Sequence, residues 1–574
     1  MKRFFAFVLI FVFIICLVSC GIAKTSEATS EVPASSPPEV TEETTAATET
    51  STTPAPIETT SPTTQTEQTT SSDIPTIPEK GYVSYSDFGA IGDGENDDFL
   101  AIKAAHDYAN EHGLPVRAEP GATYYIWIFS VGRQIDVRTD TDWTGATFII
   151  DDRCVYVDQS RKYQYPIFRI APSKEAREVT GVTSLAENAT NIGIKPGEKC
   201  LAVIENNNSK IYLRTGIHEA LSHGDPRREA IIVDENGNID ASTPLTWGYD
   251  DITSLKLYPI DQTPLTVRGG HFHTVSNTKP WKFTYFFRSI TVERSNTVLE
   301  DITHTVEGET DKGGAPYNGF VYVINCADVA VKNCVFTPHY IFAEMSATES
   351  TTFGYDIHVN TAVNVSFIGC TQTLPIEDEN YWGVFTSNFA RNITLIDCVL
   401  SRFDAHRGVY NVTIKGCTLG HQGIRFVGFG TALIEDTTVR SGEFINLRAD
   451  YGSTFKGTII IRNCRFEPLH QVYSQSVFIR AQNLCDHNYG YRCYFPDIDV
   501  DGLIIDDREK TTGYKGIYIL PKYNERTDWF NFENDSGYFM PKEVRLKNIT
   551  LLSGYDYHLA IKPYLFAKTE FITE

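Results

Sequence analysis

The second half of the chain alternates apolar and polar residues in short runs, and each run stops at Gly, Asn or Asp. The runs lie at Val298–Ile302, Val331–Cys334, Phe367–Cys370, Leu395–Cys398, Ile414–Cys417, Ile434–Thr437, Ile461–Cys464 and Leu546–Ile549. Period-two alternation predicts strands. Their stopping residues are Asp301, Asn333, Gly369, Asp397, Gly416, Asp436, Asn463 and Asn548. These residue types tolerate left-handed backbone, so the chain is expected to bend there and to point the next side chain inward. From Asn333 to Asn463 the bends are spaced by 36, 28, 19, 20 and 27 residues, which predicts two minimal coils and several with outward loops, stacked as a solenoid. Cys334, Cys370, Cys398, Cys417 and Cys464 all follow a bend, and are expected to form an interior file of small, reduced side chains.

Near the start, Asp87–Asp98 reads DFGAIGDGENDD and leads into Phe99–Asn110, where Leu100, Ala101, Ala104, Ala105 and Tyr108 recur at helical spacing. The pattern predicts a Gly-rich turn, a carboxylate N-cap and a helix ended by His112-Gly113. Such a helix covers the open end of a strand stack. The motif resembles the start of pectate-lyase-like proteins, a group that includes polygalacturonases, rhamnogalacturonases, secreted alginate epimerases and phage tailspikes. That resemblance implies an all-β fold, a right-handed parallel β-helix with an N-terminal capping helix. Between about 171 and 271 the repeat is lost, and Glu229–Ile239 predicts a hairpin with an Asn-Gly turn, hence a small β insertion with no assigned chemistry. His271 and His273 share a strand face, but without a third ligand in view they read as an exposed polar face and not a metal site.

Met1–Ser19 carries Lys2 and Arg3 before a long apolar run and is expected to be an export signal. Leu17-Val18-Ser19-Cys20 resembles the bacterial lipobox, which implies lipid on Cys20. Residues 20–80 are dominated by Thr, Ser, Pro, Glu and Ala, a composition that predicts a disordered spacer. The expected product is a lipoprotein held at the cell surface, with residues 81–574 forming the solenoid. Of the net charge of -23, residues 21–80 carry -8 and residues 81–574 carry -17, which argues against nucleic acid as a partner. Cys485 and Cys493 share a loop and are candidates for a disulfide after export.

The strongest candidate chemistry lies at Arg402–Lys415. Alternation sends Phe403 and Ala405 inward and places Arg402, Asp404 and His406 on the outer face. An imidazole beside a carboxylate and a cation suits proton abstraction next to a developing negative charge, with His406 as base, Asp404 as its orienter and Arg407 as the cation. Phe403-Asp404-Ala405-His406 is similar to the FDPHE segment of secreted alginate C5-epimerases, which maps the family's Asp and His onto Asp404 and His406. Its proline and glutamate are replaced by Ala405 and Arg407, and a tyrosine two residues before the Phe is Ser401. Arg402, Arg425 and Arg448 are candidates to bind sugar carboxylates, or alternatively to pair with acids such as Glu443 and Asp450. His358 and Trp382 complete the expected groove.

Three readings follow. A uronate polysaccharide is cleaved by β-elimination, with epimerisation disfavoured by the missing tyrosine. Alternatively a glycoside hydrolase uses two carboxylates from Asp404, Asp356, Asp378, Glu377 or Glu344. In the third, the groove binds glycan without catalysis. No cofactor is expected; the loop acids offer oxygen ligands suited to calcium, without a defined spacing.

Overall fold

A computed structural model of the chain describes residues 80–155, 165–214, 223–277, 285, 287–309, 317–343, 351–482, 487–521 and 538–573. The apolar leader, Cys20, the Thr/Ser-rich stretch, Glu344 and Cys485 lie outside the described residues, and with them the anchor and the disulfide. The described chain is almost entirely β, with one α-helix, Phe99–His112. It is a right-handed parallel β-helix, in which a 22-stranded parallel sheet runs from Val83 to Thr573 and a 7-stranded one lines the part from Asp93 to Gln372.

Parallel register stacks like residues on like. One interior file runs Val329, Val365, Ile393, Val412, Ala432, Ile459, Ile498 and Val544, each paired with the next. All are essentially inaccessible to solvent, and full burial of such side chains contributes about 1.5–3 kcal/mol each. All eight expected bends have positive φ, between 49° and 65°. The cysteines that follow five of them are buried in a single core. A second corner carries an amide ladder: Asn364 donates to Asp328 at 2.8 Å, Asn392 to Asn364 at 2.8 Å and Asn411 to Asn392 at 3.0 Å.

The helix packs on the stack with Phe99, Ile102, Ala105, His106 and Ala109. This corrects the expected face, since Leu100 is exposed. Asp98 occupies the N-cap, but its carboxylate accepts from Ile91 N at 2.7 Å and Gly92 N at 3.1 Å. It therefore ties down the Gly-rich turn instead of capping the helix.

The insertion is a four-stranded antiparallel sheet, formed by Arg177–Glu178, Cys200–Ile211, Asp225–Val233 and Ser254–Pro259. The Asn236-Gly237 turn is present, and the parallel stack resumes at Leu265. One face of this sheet covers its own small core, while Leu201, Val203, Ala230 and Ile232 pack on Ala327 and Val363 of the solenoid. A buried ion pair between Arg391 and Glu229 fastens the two. His271 and His273 on the solenoid both contact Thr305 Oγ1, at 2.8 and 2.9 Å.

Candidate active site

The strand Val399–Lys415 carries the candidate residues. Phe403 and Ala405 enter the core, Phe403 stacking on Phe385 with ring centroids 5.1 Å apart. The opposite face holds Arg402, Asp404 and His406, as alternation requires. Arg402 and Asp404 are nevertheless fully buried. The Trp382 ring lies 4.3 Å over the Arg402 guanidinium, and the Tyr355 ring 5.6 Å from it.

Asp404 Oδ2 pairs with Arg402 and with Arg448 Nη1, the latter at 2.8 Å. Arg448 also grips Asp450 through Nε at 3.1 Å and Nη2 at 2.7 Å, and Asp450 accepts from Arg214 Nε at 2.7 Å. The result is a line of alternating charge, Arg402–Asp404–Arg448–Asp450–Arg214. Arg448 holds the Asp450 carboxyl well below the usual range, overcoming the opposing effect of burial.

His406 lies beside this line with 16% of its side chain exposed. Its Nδ1 is 3.1 Å from Thr386 Oγ1 and 3.8 Å from Asp404 Oδ2. The longer distance exceeds a hydrogen bond. Asp404 therefore does not orient His406, contrary to the expectation; its carboxylate is taken by arginines and Thr386 holds the ring. Burial, and then Arg448, Arg407, Arg214 and Arg402, push the imidazole well below its ordinary pKa. The ring is neutral at physiological pH.

The remaining predicted residues divide. Arg407 is part-exposed and pairs with Asp225 of the insertion at 3.1 Å. Gly408, at φ 84°, lets the Tyr212 ring approach so closely that a Cβ would overlap its hydroxyl. Arg425 donates Nε to Gln422 O at 2.8 Å and has no carboxylate partner among the described residues. Burial, with Arg402 and then Arg448 opposing its charge, pushes it down to about 10. Arg402, by contrast, is sealed beneath Trp382 and supports Asp404 instead of facing a groove. His358 is also turned away: its Nδ1 meets Asn318 O at 3.2 Å, its Nε2 accepts from Asn388 at 2.9 Å, and burial pushes its pKa to about 4. Arg448 takes the expected alternative of pairing with Asp450, as Arg480 does with Glu443 at 3.3 Å.

Counting this cluster, six guanidiniums (Arg214, Arg402, Arg407, Arg425, Arg448, Arg480) face four carboxylates (Asp225, Asp404, Glu443, Asp450). The cluster is thus a local positive excess on a domain of net charge -17. Arg214 and Asp225 come from the insertion and Thr386 from the preceding coil. No local motif in the sequence marked them.

The proposed hydrolase acids are otherwise engaged. Asp404 is buried among arginines, and Glu377 pairs with Arg440 at 2.9 Å. Asp378 accepts from Asn380 at 2.7 Å. Asp356 is fully buried, with His304 Nδ1 at 2.8 Å and His339 Nε2 at 3.2 Å, while His339 Nδ1 lies 2.6 Å from Glu309.

No family model and no curated protein matches the chain. Among solved structures it is similar to the tailspike gp61 of Pseudomonas phage phi297, at 12% identity and a TM-score of 0.47, covering 86% of this chain and 84% of that one. The tailspike gp49 of Pseudomonas phage LKA1 is similar at 14% identity and a TM-score of 0.44, over 82% and 81% of the two chains. The A-module of the mannuronan C-5 epimerase AlgE6 from Azotobacter vinelandii is similar at 11% identity and a TM-score of 0.32, over 86% and 98%.

Proposed function

We propose that the protein is an extracellular, lipid-anchored carbohydrate-active enzyme that cleaves a uronate-containing polysaccharide by β-elimination. The observation that carries this reading is a part-exposed imidazole set among guanidiniums that outnumber their carboxylate partners. A sugar carboxylate seated among the guanidiniums beside His406 has its charge neutralised, which acidifies the hydrogen on the adjacent C5. With its Nδ1 proton donated to Thr386, His406 presents the Nε2 lone pair to that hydrogen. Nε2 takes the proton, the C5–H electron pair forms a C4=C5 double bond, and the C4–O bond breaks. The departing oxygen is protonated by water. Asp404 acts as a positioning residue, fixing Arg402 and Arg448 around the imidazole.

Digestion of a panel of uronate polymers tests this. The expected result is unsaturated chain ends that absorb in the ultraviolet, lost in His406→Ala with binding retained. New reducing ends without that absorbance would assign hydrolysis, and binding without any product would assign a non-catalytic glycan receptor.

A further inference from the structure

The insertion makes a second cavity with the solenoid, separate from the His406 cluster. Its sheet is apolar where it docks, and along the same face it becomes polar. In register, Ile232–Leu201–Tyr258 is followed by Ala230–Val203–Lys256 and then by Arg228–Glu205–Ser254. The last row and Lys256 overhang Asn325, Asn360 and Thr361 of the solenoid, lining a cleft of about 220 Å³. That is smaller than the about 300–1,000 Å³ of pockets for drug-sized ligands, so the cleft suits a single sugar unit, at the kind of boundary between structural units that ligand sites favour.

Two features tie the cleft to the active site. Asn360 pairs in register with Asn388, and Asn388 with Arg407, so the cleft floor lies two coils from Arg407, about 10 Å along the stack. The strand Asp225–Val233 spans the same interval, with Asp225 on Arg407 and Arg228 in the cleft. The backbone at this corner is also strained: Thr361 and Phe389 adopt φ 51° and 50°, where β-branched and bulky residues rarely sit. Such conformations gather at ligand-binding positions.

We propose that this cleft is a second sugar-binding site, seating one pyranose unit of the same acidic glycan whose scissile bond lies at His406. The inference rests on the acidic-glycan reading above. Asn325, Asn360 and Glu205, the last paired with Arg228, supply the amide and carboxylate groups that pair with sugar hydroxyls, Tyr258 adds a phenol, and the exposed Lys256 ammonium meets a uronate carboxylate. The insertion is thus a substrate-reading wall.

Calorimetric titration with trimers and hexamers of galacturonate, of mannuronate and guluronate, and of a glucuronate-containing glycan tests the proposal. Two variants, Lys256→Glu at an exposed position and Ser254→Trp at a part-exposed one, reverse the charge and fill the cleft, with thermal melts confirming the fold. For at least one series, the hexamer is expected to bind the native protein about tenfold or more tighter than the trimer. Both variants should remove that difference and leave trimer affinity unchanged. Hexamer affinity equal to that of the trimer, or unaltered in both variants, overturns the proposal. Ultraviolet absorbance of the same mixtures separates the two ideas. Length-dependent binding without unsaturated product sinks only the elimination reading, and product without length dependence sinks only the second site.

Discussion

Asp404 and His406 lie two residues apart on one face of a single strand, yet the carboxylate turns from the imidazole. Its Oδ2 stands 3.8 Å from Nδ1 and 2.8 Å from Arg448. The aspartate thus serves the arginines. Asp404→Ala leaves Arg402 buried without a counter-charge, and is expected to cost about 3–5 kcal/mol in denaturant unfolding. Asp404→Asn, which retains a hydrogen-bond acceptor, should cost less. Native-like stability in Asp404→Ala would remove the anchoring role.

In the proposed elimination, the arginines also set the working pH of His406. A base acts only when deprotonated, and this imidazole is pushed well below its ordinary pKa. The acidic limb of kcat/KM is therefore expected below the usual imidazole midpoint of about 6.5. Arg448→Met removes the largest of the opposing charges and frees two carboxylates, so the limb should move to higher pH by on the order of one unit. A limb that stays in place would argue that His406 is not the titrating base.

A different histidine controls alkaline stability. Glu309 and Asp356 hold His339 as an imidazolium and raise its pKa to about 10, against burial. The folded value exceeds the unfolded one, so the contribution is complete below about pH 6.5 and is lost as the pH rises through about 10. Melting curves should fall over that window in the native protein, and fall less steeply in His339→Gln, which is less stable at neutral pH. Parallel slopes for the two proteins would contradict this assignment.

Asn392 combines φ 53° with two rungs of the amide ladder. Asn392→Ala loses both and should cost about 2–4 kcal/mol. Asn392→Gly restores the backbone conformation without the ladder, so its cost in thermal unfolding should be distinctly smaller. Equal losses would mean that backbone conformation contributes nothing at this corner.

The bends and the cysteine file were legible because each depends on one local rule, the tolerance of Asn, Asp and Gly for left-handed backbone. Alternation likewise separated Phe403 and Ala405 from Arg402, Asp404 and His406. It did not give the partners. The pairing of Arg214 with Asp450 joins residues 236 positions apart, and Trp382 seals Arg402 from a loop, so burial and charge at the site arise from contacts that no strand pattern encodes. The helix face failed for a related reason. Apolar spacing left two stripes open, and the stack chose the one with Phe99 and Ile102, leaving Leu100 outside.

The ladder also bears on how such a molecule grows. The 19 residues from Asn392 to Asn411 contain one bend at Asp397, one interior thiol at Cys398 and one corner amide. An in-frame duplication of this stretch would carry every contact that a new coil needs with its neighbours. It would lengthen the outer face by about 4.8 Å, making the length of that face a trait that gene duplication can adjust in steps.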